Sequence, residues 1–291
     1  MSQIKFHNVI VNGVRTPYRE CGPTKAREAV VFVHGNPGSG EDWTRLMGKS
    51  GKFLRTLAPD MPGFGKAEKP EQFQYTVAGY ARHLAALLDQ AGAEHVHLVL
   101  HDFGGPWGLA WAADHPRRVA SITLINTGVL SGYRWHFAAR IWRLPLVGEA
   151  FQQIITASAF RALVNFRARR PLPTDFVERM YREYDDGTRR AVLRLYRASS
   201  DLAGMARRIG EALRALRCPT LVIWGARDAF IPAHYADMQR QVFRDAEVHL
   251  LRDSGHFPYA DDPEAVAARL IPFLRRASEA GAAAAKASAE T

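Results

Sequence analysis

Residues 4 to 8 and 14 to 21 alternate apolar and polar positions and predict a short β-hairpin. AVVFVHG, residues 29 to 35, is an unbroken apolar run that ends in a polar loop, the pattern of a strand buried on both faces. Strand and helix then alternate. FLRTLAPD (53 to 60) reads as a strand, residues 75 to 92 as an amphipathic helix closed by Gly92, and HVHLVLHD (95 to 102) as the most apolar strand of the chain. A small-residue helix, GGPWGLAWAADH, leads to the strand VASITLINTG at 119 to 128. Such a βαβ series builds a mostly parallel sheet with helices on both faces.

The period changes after Gly128. Residues 129 to 213 are helical in pattern, are punctuated by Pro145, Pro171, Pro173 and Gly187, and contain no convincing strand. Alternation resumes with the strand PTLVIWGARD (219 to 228), a helix after Pro232, the strand AEVHLL (246 to 251) and the helix PEAVAARLIPFLRRA (263 to 277). The chain therefore divides into a core at 1 to 128, a helical cap at 129 to 213, a second core segment at 214 to 277 and a low-complexity tail at 278 to 291, SEAGAAAAKASAET, which is expected to fray. A helical insertion in such a core lies over the C-terminal strand ends, where open α/β sheets bind ligands.

Composition narrows the class without naming it. With 47% hydrophobic and 23% charged residues, 23 Gly and 16 Pro, the 291 residues exclude a disordered, collagenous or coiled-coil chain. No apolar run approaches the ~18 residues of a membrane span, and the N-terminal MSQIKFHNVIVNGVR has no signal-peptide stretch, so a cytoplasmic protein with no membrane partner is expected. Cys21 and Cys218 form neither a disulfide framework nor a CxxC metal pair. Of the net charge of +10, residues 129 to 213 supply +7, from 15 Arg against 8 acids. Without interleaved aromatics or a known module this reads as a solvated surface, and no nucleic-acid partner is expected.

The chemistry gathers at strand ends. Leu100-His101-Asp102-Phe103-Gly104-Gly105 joins the most apolar strand to a helix, and a nucleophile elbow needs small residues just there. Taken alone, Asp102 also reads as a helix N-cap. Asp228, in Trp224-Gly225-Ala226-Arg227-Asp228, follows a strand, and His256, in Asp253-Ser254-Gly255-His256-Phe257-Pro258, follows the next. The order Asp102, Asp228, His256 is the nucleophile, acid, base order of an α/β-hydrolase. Upstream, His34-Gly35-Asn36-Pro37 ends a strand where the backbone N–H groups of Asn36 and Phe103 would meet a developing oxyanion, with a cis bond expected before Pro37. His95 and His97 share one strand face and are read as packing, so no metal is expected.

Together the His-Gly-x-Pro loop, the glycine turn at 60 to 65, the His-Asp-x-Gly-Gly elbow, the WGxxD acid and the SGH base resemble the Asp-nucleophile branch of the α/β-hydrolase superfamily over residues 4 to 276. The resemblance implies an eight-stranded, mostly parallel sheet with a cap after strand 6, and a cofactor-free hydrolase acting through an alkyl-enzyme ester. That branch holds epoxide hydrolases, haloalkane dehalogenases and haloacid dehalogenases. Asn36 and Leu100 fit the haloalkane dehalogenases, whereas Phe103 lacks the indole N–H they use beside the nucleophile and lacks the arginine of haloacid dehalogenases. Tyr196, in Leu195-Tyr196-Arg197, resembles the segment that carries a ring-opening tyrosine in epoxide hydrolases, or it packs within the cap.

The expected reaction is accordingly the opening of a small apolar epoxide by water to a vicinal diol, with haloalkane dehalogenation as the alternative and ligand binding without turnover as a third class. Asp102, His256, Asp228 and Tyr196 are the expected catalytic set. Tyr133 and His136 are early candidates for a second acid, and Tyr181 and Tyr184 late ones. Trp107, Trp135 and Phe257 are candidate pocket residues, Trp135 or Trp142 could supply a halide donor, and a homodimer is left open.

Overall fold

The computed structural model describes residues 3–289, and side chains for residues 3–283. Strands β1 (Lys5–Val11), β2 (Val14–Cys21), β3 (Glu28–Val33), β4 (Arg55–Pro59), β5 (His95–His101), β6 (Val119–Ile125), β7 (Thr220–Gly225) and β8 (Glu247–Leu251) form one sheet in the order β1-β2-β4-β3-β5-β6-β7-β8. β1 and β2 pair antiparallel and β2 meets β4 antiparallel, while β3 to β8 are all mutually parallel. The central strands are buried along their length, as their unbroken apolar runs predict.

Strand order decides where a site can form. From β3 the chain goes outward to β4 and then returns to β5 on the other side, so the loops after β3 and β5 diverge from one point at the C-terminal edge. Register aligns that edge: Val33 pairs with Leu100, His101 with Ile125, Ile125 with Ile223 and Gly225 with Leu251. The loops that follow carry Asn36, Asp102, Asn126, Asp228 and His256 in a row.

Helices α1 (Thr44–Ser50), α2 (Val77–Gln90) and α3 (Gly104–Asp114) precede β6. α3 packs on α2 and on β3 and β5. Between β6 and β7 lies a run of helices: α4 (Phe137–Arg143), α5 (Val147–Ile154), α6 (Ala157–Val164), α7 (Thr174–Glu183), α8 (Asp186–Ala198) and α9 (Leu202–Leu213). The prolines that punctuate the sequence sit in the breaks, Pro145 before α5 and Pro171 and Pro173 before α7. Thr156, Asp185 and Asp201 cap α6, α8 and α9 through side-chain oxygens. After β7 come α10 (His234–Met238), α11 (Pro258–Asp261) and α12 (Pro263–Ala289), the last packing on α1, β6 and β7.

One expectation is corrected. The segment from 278 does not fray as expected: α12 continues to Ala289, because an alanine-rich run is the best of helix formers, while residues 290 and 291 lie outside the described residues. Most arginines of the insert are exposed, and some of them also reach the rest of the chain. Arg179 on α7 donates to Asp42 Oδ1 (2.5 Å) and to Ser39 Oγ (3.2 Å), Arg194 to the Glu71 carbonyl (2.8 Å) and Arg169 to Asp253 (3.1 Å), and Arg170 pairs with Asp262. Each bond joins the insert to the sheet-bearing part of the chain.

Asp42 is fully buried, and burial pushes its carboxyl up to about 6 against the opposing pull of Arg179. A raised folded-state value means that stability falls as pH rises through it, and Arg179 limits that loss. Arg179→Met should therefore cost about 3–5 kcal/mol at pH 7.5, the usual penalty for stranding one member of a buried pair, and distinctly less at pH 5, where Asp42 is protonated. Denaturant unfolding of both proteins at the two pH values measures this, and an equal cost at both would refute it.

Candidate active site

The turn between β5 and α3 is tight enough to force a strained residue. Asp102 has φ +48°, a left-handed conformation that a non-glycine residue adopts at a cost of about 1–2 kcal/mol. Its carbonyl accepts from Thr127 Oγ1 (2.6 Å) and Gly105 N (2.9 Å), which hold the turn closed. Two glycines make room. A Cβ on Gly105 would stand 1.9 Å from Thr127 Oγ1, and one on Gly35 would stand 2.3 Å from Asp102 Oδ1.

This turn thrusts the Asp102 carboxylate out of the sheet edge. Oδ1 accepts the backbone N–H of Asn36 (2.7 Å), and Oδ2 lies 3.6 Å from His256 Nε2. The Asn36-Pro37 bond is cis. On the far side of the imidazole, His256 Nδ1 donates to Asp228 Oδ2 (2.8 Å). Asp228 Oδ1 accepts the N–H groups of Phe230 (2.7 Å) and Ile231 (3.0 Å), so its position is set by four donors, counting His256 and Asn126. The three residues picked out by strand-end position thus stand in one line. Burial disfavours the charged imidazole, but Asp228 and Asp102 outweigh it and raise the His256 pKa above its ordinary value. Burial would likewise raise Asp102, yet its contact with His256 holds it below the usual carboxylate range.

Asn126 is the participant that strand-end reasoning passed over. Sitting after β6, it donates Nδ2–H to Asp228 Oδ2 (2.7 Å) and accepts Gly225 N–H at Oδ1 (3.0 Å). His101 also braces the site: its Nε2 meets the His256 carbonyl (2.8 Å) and its Nδ1 meets Tyr259 Oη (3.2 Å).

The insert brings a ring of aromatic groups over this line. Tyr196 on α8 accepts Asn36 Nδ2–H at 3.3 Å, and its ring packs among Phe103, Trp135, Trp142 and His136 with centroids 4.9–6.1 Å away. Burial, then the Asp102 charge, raises its phenol well above the ordinary value, so it stays protonated. Of the two early candidates for a second acid, Tyr133 spends its hydroxyl proton on the Phe230 carbonyl (3.1 Å). His136 accepts Ala139 N–H at Nδ1 (3.3 Å), and burial lowers it to about 4, so the neutral ring carries its proton on Nε2. The later tyrosines differ: Tyr181 donates to the Ile155 carbonyl, whereas Tyr184 accepts from Gln152 and reaches the cavity wall. Trp135 lines one cavity and Phe257 another. Trp107 lines neither. Buried on all sides, it stacks on Tyr80 at 3.9 Å in the core, because α3 is apolar around its whole circumference and offers periodicity no face to single out.

Residues 28–263 match the family model for the alpha/beta hydrolase fold. A haloalkane dehalogenase from Bradyrhizobium elkani is similar at TM-score 0.83 and 26% identity, covering 96% of this chain and 100% of that one. An epoxide hydrolase shares the fold at TM-score 0.81 and 19% identity, covering 94% and 99%. In sequence, a cis-3-alkyl-4-alkyloxetan-2-one decarboxylase from Xanthomonas campestris is 28% identical over 286 residues, 91% of this chain and 93% of its own length.

The electrostatics of the line can be read directly. In Asp102→Asn one of the two carboxylates that keep His256 protonated is gone, and the imidazole pKa should fall by about 1–3 pH units. Ring-proton shifts followed by NMR across pH 5 to 10 report it. An unchanged titration would mean that Asp102 does not act on the imidazole.

Proposed function

The chain belongs to the alpha/beta hydrolase fold family, and on that premise we propose that it hydrolyses epoxides to vicinal diols through a covalent ester on Asp102. The observation that carries this reading is the position of Tyr196. One residue, Asn36, joins it to Asp102, with the backbone N–H on the carboxylate and the side-chain amide on the phenol oxygen. Tyr196 accepts that bond and donates to no acceptor among the described residues, so its proton can go to a leaving oxygen.

In this reading Asp102 attacks a ring carbon, the C–O bond breaks, and its electron pair takes the proton of Tyr196, with His136 Nε2–H as the second donor. Ester formation abolishes the charge of Asp102, one of the two that keep His256 protonated. Its pKa then falls, its proton passes through solvent to the Tyr196 phenolate, and the neutral imidazole can take a proton from water. That water attacks the ester carbonyl, whose oxyanion the backbone N–H groups of Asn36 and Phe103 stabilise. Collapse returns the Asp102 carboxylate, an imidazolium and the diol. Asp228, fixed by Asn126 and two backbone donors, keeps Nδ1 as the donor and Nε2 towards the ester. We read α4 to α9 as the lid that keeps bulk water from these steps.

A second reading, haloalkane dehalogenation, is favoured by two donors. Asn36, whose amide donates to Tyr196, lines the same cavity as Asp102, and so does Trp142, whose indole N–H has no hydrogen-bond partner among the described residues. The decarboxylase relative is named for a four-membered cyclic ester with an alkyl group on each of two ring carbons, so such a lactone belongs in the same substrate panel.

Two variants test the reading. His256→Gln should form the ester and fail to cleave it, so that intact-protein mass spectrometry shows one substrate equivalent added and a peptide map places it on Asp102. An unmodified protein after a demonstrated single turnover would eliminate the covalent route. Tyr196→Phe should lower kcat/KM for epoxides by ~10²–10⁴ and change bromide release from a bromoalkane little. Parent-level epoxide opening in that variant, together with bromide release that rises in Phe103→Trp, would transfer the assignment to dehalogenation.

A further inference from the structure

Two cavities meet at the nucleophile. One extends between α3 and α9 and is walled by Leu109, Met205 and Ile209. The other extends beneath α6 and is walled by Phe160, Leu163 and Phe257. Asp102, His136, Tyr196 and Phe230 line both and so form the waist between them. Among the described residues, Asp102 and His256 are the ionised side chains that line these cavities, since burial keeps His136 neutral.

A nucleophile at the end of a pocket reacts with the end of its ligand. A nucleophile at a waist reacts with the middle. We propose that the substrate is an internal epoxide, with an uncharged apolar arm on each ring carbon and one arm in each cavity. The inference rests on the epoxide reading for the reacting ring, though not for the arms. Every methylene buried in a cavity strengthens binding about fourfold, so a ligand with both arms filled gains on each side of the reacting carbon. A terminal epoxide fills one cavity and leaves the other to water or void. The absence of charged walls equally turns away carboxylated or phosphorylated arms, whose charge would be buried unpaired.

The decisive comparison uses isomers of one formula, 5,6-epoxydecane and 1,2-epoxydecane. The internal isomer should show at least tenfold higher kcat/KM, against its greater steric hindrance to attack, and parity or a terminal preference overturns the proposal. Ala206→Phe in the first cavity and Val164→Phe in the second should each shrink the internal-to-terminal ratio at least fivefold. An unchanged ratio in both variants, with parent circular dichroism, also overturns it. Binding is read apart from turnover through quenching of tryptophan fluorescence, since Trp135 and Trp142 line the two cavities. Decane-5,6-diol should bind at least tenfold tighter than decane-1,2-diol. If neither epoxide is opened, the epoxide reading falls and the diol pair still decides the two-arm inference, which equal or reversed affinities would defeat.

Discussion

Two carboxylates share one buried imidazole, and most of the architecture at the sheet edge exists to make that tolerable. An ionised group taken from water is costly unless it is paired and hydrogen-bonded. Asp228 meets that cost with four donors, and Asp102 with the Asn36 N–H and the nearby imidazolium. Those donors come from the loops after β3, β6, β7 and β8, so the constellation requires all of these strands to end in register. A one-residue slip in any pairing would turn its loop away from the line. The parallel sheet and the charge arrangement are therefore one constraint seen at two scales.

The core was legible because strands buried on both faces print themselves as unbroken apolar runs, and because Asp102, Asp228 and His256 each follow one. Asn126 escaped for a physical reason. An asparagine after a strand is an ordinary turn residue, and only the pairing of His101 with Ile125 shows that it borders the nucleophile loop and reaches Asp228. Tyr133 and His136 were equally placed as sequence. What separates them is which proton the backbone has already claimed, a matter of hydrogen bonds between residues far apart in the chain. The same holds for Arg179, whose partner Asp42 lies 137 residues away. Composition reports how many arginines there are and nothing of what they face.

In the proposed reaction, attack and departure are supplied by different parts of the chain. Asp102, Asp228 and His256 stand on loops of the sheet, whereas Tyr196 and His136 come from the insert, and Asn36 touches both sets. The precision of the site hence depends on how the insert is seated as well as on the sheet.

That seating is held by ion pairs of two kinds. The Arg169–Asp253, Arg170–Asp262 and Arg194–Glu71 contacts lie near solvent, where physiological salt screens charges over about 8 Å. Arg179–Asp42 is buried and scarcely screened. Rising ionic strength should therefore weaken the peripheral pairs first and leave the Arg179–Asp42 pair in place, so the rim of the insert is tied to the surrounding electrolyte more than its inner anchor is.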